Sequence, residues 1–199
     1  MHPPPLPDAS LLPTLRAATA QAHARLEAAV DIERCLRDRE RYAALLRTFL
    51  GFYRPLERAL ESIGGLEEAG YALAPRRKTP WLQADLEALG MSQADVAALP
   101  DCLTLPRLDG PACAPGCLYV LEGSTLGGRH ITSLMRNSAV PAGARRFFAG
   151  YGPETGARWK EFIAWLEAEA EAGGAVIIAA AQETFADMER WLNERMPRA

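Results

Sequence analysis

The chain has 199 residues, 49% of them apolar, and a net charge of −3 with a pI near 5.7. That is enough for one domain with a substantial core, whereas two domains would be small. The acidic balance speaks against electrostatic binding of nucleic acid, and no apolar run approaches the roughly 20 residues that span a bilayer.

The N-terminus, "MHPPPLPDAS", has neither the basic nor the apolar stretch of a signal peptide. A cytoplasmic protein is therefore expected. Pro3, Pro4, Pro5 and Pro7 make residues 1–9 read as a disordered leader, with a single domain over 10–197. Leu11, Leu15, Ala18, Ala22, Leu26 and Ala29 recur at three- and four-residue spacing, which predicts a first amphipathic helix. Tyr42, Leu45, Leu46, Phe49, Phe52, Tyr53, Leu56, Leu60 and Ile63 predict a second, with Pro55 marking a kink. Thr79 and Pro80 read as an N-cap followed by proline at the first helical position, opening a short helix through Leu89. Ser92 with Asp95 resembles a capping box. Pro115 starts a helix that reads as continuous over 118–134, and a short helix follows Pro141. Trp159, Phe162, Ile163 and Leu166 repeat helically after Pro153; Gly173 and Gly174 end that helix, and 176–194 form the last. No segment alternates with period two. The expected fold is all-α, a single domain of about eight helices.

The stretch "LEGSTLGGRHI" (121–131) places Gly123, Gly127 and Gly128 inside a helical pattern. An interior glycine costs about 1 kcal/mol relative to alanine, so a bare backbone needs a reason. A phosphate-binding loop lacks its Gly-Lys-Ser/Thr and its preceding strand, and a dinucleotide fingerprint fails on spacing. Two readings stay open: close approach of another helix, or a flat ligand lying on the backbone where any Cβ would collide.

Histidine is scarce, at His2, His23 and His130. A lone helical histidine is ordinarily a surface or satisfied core residue. His23, however, has Glu27 one turn away on the same face, placed to orient the imidazole. One histidine facing a glycine-lined helix across a gap is the geometry of a pentacoordinate haem pocket. Structural zinc, which takes four ligands, fits poorly. Cys35, Cys102, Cys113 and Cys117 contain no C-x-x-C pair and read as reduced thiols.

"LRAATAQAHARLE" (15–27) and "YVLEGSTLGGRHI" (119–131) resemble the proximal and distal helix motifs of the haem oxygenases, in the same order. The similarity extends to "ARWKEF" (157–162) and "ETFADMERWL" (183–192), and the Glu-Gly-Ser segment is similar to the bacterial, biliverdin-producing branch. The resemblance implies a haem-oxygenase-like helical fold that cleaves haem to biliverdin, carbon monoxide and iron. Dioxygen is consumed, and electrons come from an external donor such as a ferredoxin or a flavin reductase. His23 matches the axial iron ligand and Glu27 the carboxylate that contacts it. Gly123, Gly127 and Gly128 match the glycines that bend the distal helix over the porphyrin. Ser124 stands where animal members carry an aspartate that organises water, a departure shared with bacterial relatives; a proton relay here would have to run through water. Arg16, Tyr119 and Lys160 fall where family members contact the haem propionates, although each also reads as a solvated side chain. Arg129 and His130 follow Gly128 too closely for a role to be assigned. Arg76, Arg77 and Lys78 read as a solvated loop, with docking of an acidic electron donor as the alternative. Biliverdin release would serve iron acquisition or supply a phytochrome chromophore. A non-catalytic haem-binding or haem-sensing protein on the same fold is the competing reading. A di-iron oxygenase ranks last, for want of Glu-x-x-His motifs.

Overall fold

The computed structural model describes residues 10–136 and 138–196. The expected leader at 1–9 and residue 197 of the expected domain lie outside them. Nine α-helices, four short 3-10 turns and no strand occur among the described residues.

The first helix, α1 (Leu11–Val30), buries Leu11 and Leu15. Its opening amides are capped from outside its own sequence: Glu167 accepts from the Leu11 amide at 2.7 Å and the Leu12 amide at 3.0 Å. Asp31, the one non-glycine in left-handed conformation among the described residues (φ 41°), ends α1 and turns the chain. Its carboxylate then caps α2 (Ile32–Arg37), a helix the periodicity does not reveal. Asp38 caps α3 (Arg39–Ile63) by accepting from the Glu40 and Arg41 amides. This helix continues through Pro55 and is the centre of the molecule, with Tyr42, Leu45, Leu50, Phe52, Tyr53 and Leu56 wholly buried.

Thr79 does not cap the helix it opens. In α4 (Thr79–Ala88) the Lys78 and Thr79 amides donate instead to the Glu57 carboxylate of α3, at 2.5 and 3.2 Å. The Thr79 hydroxyl is buried without a partner among the described residues. At α5 (Gln93–Ala97) Ser92 caps as the sequence predicts, the Asp95 amide donating to Ser92 Oγ at 3.1 Å, while the Ser92 hydroxyl donates to the Asp95 carboxylate at 2.6 Å.

The helix expected over 118–134 is two. The first, α6 (Ala114–Gly123), stops at Gly123, a tight turn covers 124–127, and α7 (Gly128–Met135) follows. The three glycines therefore sit at helix ends, where their cost is smaller than in a helix interior. A four-residue helix, α8 (Arg146–Ala149), is capped by the buried Asp85 of α4, which accepts from the Arg146 and Phe147 amides at 2.9 Å each. Phe147 and Phe148 then pack with Phe49 and Tyr53 of α3. The last helix, α9 (Thr155–Arg195), breaks at Gly173, where the backbone leaves helical geometry (φ −164°, ψ 32°).

Both α1 and α6 pack on α9. The α1 contact runs parallel: Leu11 meets Gly174, Gln182 donates to the Ala18 carbonyl, and Arg25 pairs with Glu189. The α6 crossing is made possible by Gly116, where a Cβ would lie 2.2 Å from the Ile177 carbonyl oxygen. Two helices thus stand on one floor.

Candidate functional site

On α1, the His23 ring lies edge-on over Phe185 of α9, with centroids 5.8 Å apart at 80°. Its Nδ1 sits 3.5 Å from Glu27 Oε2, the i+4 pairing that the sequence suggests. With Nδ1 facing a carboxylate, Nε2 is the ring nitrogen left for a ligand. His23 is 55% exposed, so a ligand can reach it. Thr19, the other neighbour one turn away, is instead buried and donates to the Leu15 carbonyl.

Phe185 follows Thr184, whose hydroxyl is 3.3 Å from Cys117 Sγ on α6. The histidine helix and the glycine helix therefore dock on adjacent residues of α9. From Cys117, six residues of α6 at about 1.5 Å each lead to Gly123.

The three distal glycines have different surroundings. A Cβ on Gly128 would fall 2.2 Å from the Phe148 carbonyl oxygen, so the close approach of α8 already requires glycine there. At Gly123 a Cβ would meet nothing within 4 Å, and at Gly127 only Ile131 Cδ1 at 3.9 Å. Neither has a positive φ. The two ordinary reasons for glycine, a left-handed backbone and a crowded one, are both missing at these positions. Ser124, at the start of the turn, is exposed and donates to the Leu121 carbonyl at 2.7 Å. Leu126 is a partly exposed apolar side chain in the same turn, at 43%. His130 is exposed on α7.

Behind the turn lies a cluster that the sequence reading misplaced. Arg76 and Lys78 are neither solvated nor free to dock a partner: both are buried against Glu122, the residue before Gly123. Arg76 Nη1 donates to Glu122 Oε2 at 3.0 Å, Lys78 Nζ donates to Oε1, and the Tyr151 hydroxyl donates to Oε1 at 2.9 Å. Arg76 also reaches Glu161 of α9 at 2.9 Å, and Arg77 pairs with Glu57 and Glu61. Burial works to lower Arg76, but Glu122, Tyr71 and Tyr151 together outweigh it and hold the guanidinium above its ordinary value. Burial, reinforced by Glu122, pushes the Tyr151 hydroxyl well up, so it remains a proton donor. The signal in the sequence was a glutamate inside the otherwise apolar run "CLYVLEG"; its partners, about 30 to 45 positions away, left none.

The three residues proposed for propionates are spread over three helices. Arg16 is exposed on α1 and Lys160 on α9, while Tyr119 is half-buried on α6 with its ring beside Trp159, centroids 6.1 Å apart. No three His, Cys, Asp or Glu side chains gather as a metal site among the described residues. No helix among them is long and apolar enough to cross a membrane.

The fold is shared with a solved haem oxygenase from Leptospira interrogans. The two superpose with a TM-score of 0.74 at 18% identity, over 94% of this chain and 100% of that one. The family follows from sequence: a model of the Heme oxygenase family matches residues 9–194, and the chain belongs to that family. A heme oxygenase of Xanthomonas campestris pv. campestris (strain 8004) is 34% identical over 155 residues, covering 75% of this chain and 87% of that protein.

Proposed function

We propose that this chain is a haem-degrading monooxygenase that opens the macrocycle to biliverdin with release of carbon monoxide and iron. The observation that carries this reading is the pair of glycines, Gly123 at the end of α6 and Gly127 in the turn that follows, left bare with no internal reason, on a segment whose helix shares α9 with the helix bearing His23. Bound haem supplies the iron at which dioxygen is activated and the ring carbon that is oxidised.

The chain's own residues do the rest. His23 would hold the iron through Nε2, with Glu27 facing Nδ1 to fix the imidazole. A neutral imidazole ligates without the electron push of a thiolate, which favours O–O cleavage. Gly123 and Gly127 let the turn lie against the ring face. Gly128, matched to the same motif, keeps α8 close behind the turn. Ser124 commits its proton to the Leu121 carbonyl, so protons for the reaction pass through water, with the Ser124 oxygen as an acceptor in that chain. Arg16, Tyr119 and Lys160 receive the propionates at the pocket mouth. Dioxygen and an external donor such as a ferredoxin or flavin reductase complete the reaction in the cytoplasm, and a phytochrome is one acceptor for the bilin. Arg76 and Lys78, being buried, are not the donor's docking surface.

The test is to mix protein, haemin and ascorbate under air, follow the Soret band, and resolve the bilin isomers by chromatography. Loss of the Soret band with formation of biliverdin is the expected result. A stable Soret band under these conditions would leave haem binding or sensing without catalysis.

A further inference from the structure

Glu122, Lys78 and Arg76 form a charged cluster with almost no access to water: their side chains are 1%, 2% and 8% exposed. Such a cluster is a poor way to gain stability, because well-packed apolar residues of similar volume commonly do as well or better. What buried ion pairs do supply in some systems is a unique geometry. The location of this one says which geometry. Glu122 belongs to the last turn of α6, and its backbone carbonyl accepts from both the amide and the hydroxyl of Thr125, at 3.1 and 2.7 Å. One residue thus holds the glycine turn through its main chain. Through its side chain it holds the 76–78 segment and Tyr151.

The rest of the turn is clamped from the same side. Thr125 packs on Gly150, where an added Cβ would touch its side chain at 3.4 Å, and the Phe148 carbonyl closes on Gly128. Tyr151 completes the arrangement: Lys78 Nζ donates to its hydroxyl at 3.1 Å, and the Trp81 ring packs edge-on to it at 5.2 Å. Everything behind the turn is fixed, while Gly123 and Gly127 on its open side touch almost nothing.

We propose that Glu122 is a positioning residue: its buried pairing with Lys78, Arg76 and Tyr151 sets the height and tilt of the 124–127 turn, and thereby which edge of a bound haem is attacked. The second half of this statement rests on the haem-cleaving function proposed above; the first half does not. The cluster acts through the turn and touches no substrate.

Two variants test it, each in the full chain. Glu122→Gln removes the charge that Lys78 and Arg76 face. Tyr151→Phe removes the hydrogen bond to the carboxylate and the one accepted from Lys78 but leaves both ion pairs, and is the milder change should the first variant not fold. Hydrogen exchange is measured on the protein without haem. The amides of Ser124, Thr125, Leu126 and Gly128, all hydrogen-bonded within the turn and its flanks, are expected to exchange at least tenfold faster in Tyr151→Phe. Amides of Leu50 and Leu56 in α3 should be unchanged. With haemin and reductant, the ratio of bilin isomers should shift at least threefold at unchanged haem affinity. Uniform acceleration across the protein, or none at the turn, would overturn the positioning role. Faster turn exchange with an unchanged isomer ratio would overturn the link to the site of attack. If the unmodified protein forms no bilin at all, the functional reading fails, and the exchange data still decide whether the cluster holds the turn.

Discussion

His23 and the distal glycines reach their places for different reasons, and substitutions separate them. His23 is more than half exposed and touches mainly Glu27 and Phe185, so truncating it should change stability by no more than about 0.5 kcal/mol. His23→Ala is expected to keep the helical circular dichroism of the parent and to lose bilin formation together with its ferric haem spectrum. Normal turnover with an unaltered spectrum would remove His23 as the iron ligand. The glycines make a sharper pair. Gly128→Ala drives a methyl into the Phe148 carbonyl and should cost about 1–3 kcal/mol, as overpacking does. Gly127→Ala meets only Ile131 at contact distance and, at a helix end with a negative φ, should change stability by no more than about 0.5 kcal/mol. If haem lies where proposed, Gly127→Ala nevertheless slows turnover or redistributes the isomers. Thermal melts read beside turnover decide this, and an active, unaltered Gly127→Ala enzyme would mean that no ligand presses there.

At the scale of elements, capping divides into local and borrowed. Asp31, Asp38 and Ser92 cap the helices they precede. Glu167, Glu57 and Asp85 cap α1, α4 and α8 from other helices, so each cap exists only once the helices are assembled. Glu167 ties the histidine helix to α9, and its titration gives that tie a pH dependence. Burial works to raise Glu167, but hydrogen bonds from Ser10 and from the Leu11 and Leu12 amides outweigh it and hold the carboxyl below its ordinary value. A carboxyl depressed in the folded state contributes stability above its unfolded pKa and loses it as pH falls through the folded one. Glu167→Gln should therefore cost about 1 kcal/mol at neutral pH, a usual value for a lost cap. Its deficit should shrink once the pH drops below the usual carboxylate range, near about 4. Urea midpoints of both proteins from about pH 7 to about pH 3 measure this. A deficit that stays constant with pH would show that the charge of Glu167 does not hold α1.

For the molecule as a whole, α1 and α6 both stand on α9, and if haem binds between them as proposed, that arrangement sets how it is turned. Arg16 and Lys160 are exposed cations on two of these helices, and exposed ion pairs contribute only about 0–1 kcal/mol each. Removing one should scarcely weaken a ligand held by iron and apolar contacts. Orientation is more sensitive, since 1.4 kcal/mol shifts a ratio of two haem orientations about tenfold. Arg16→Ala and Lys160→Ala are expected to change the isomer ratio at nearly unchanged haem affinity. The combined variant, assayed for affinity and isomers together, places the propionates elsewhere if both stay as in the parent.

Much of this was legible from residues alone. The apolar period in 11–29 and 42–63 marked α1 and α3, Ser92 and Asp95 marked α5, and His23 with Glu27 and the glycine stretch supplied the candidate site proposed above, because each signal is carried by residues within a turn or two of one another. The break after Gly123 was not legible: glycine weakens a helix without fixing where it ends, and here the stop is shaped by Thr125 against Gly150 and by α8 against Gly128. Nor was the fate of Arg76 and Lys78. A run of cations reads as solvent-facing unless its counter-charge is visible, and Glu122 lies more than 40 positions away. The sequence alone determined the all-α class, the helix that carries the histidine and the residues that could face a flat ligand. Only the tertiary structure decided which glycines are bare for packing and which face open space, because that depends on atoms brought close by the chain's return, not by its order.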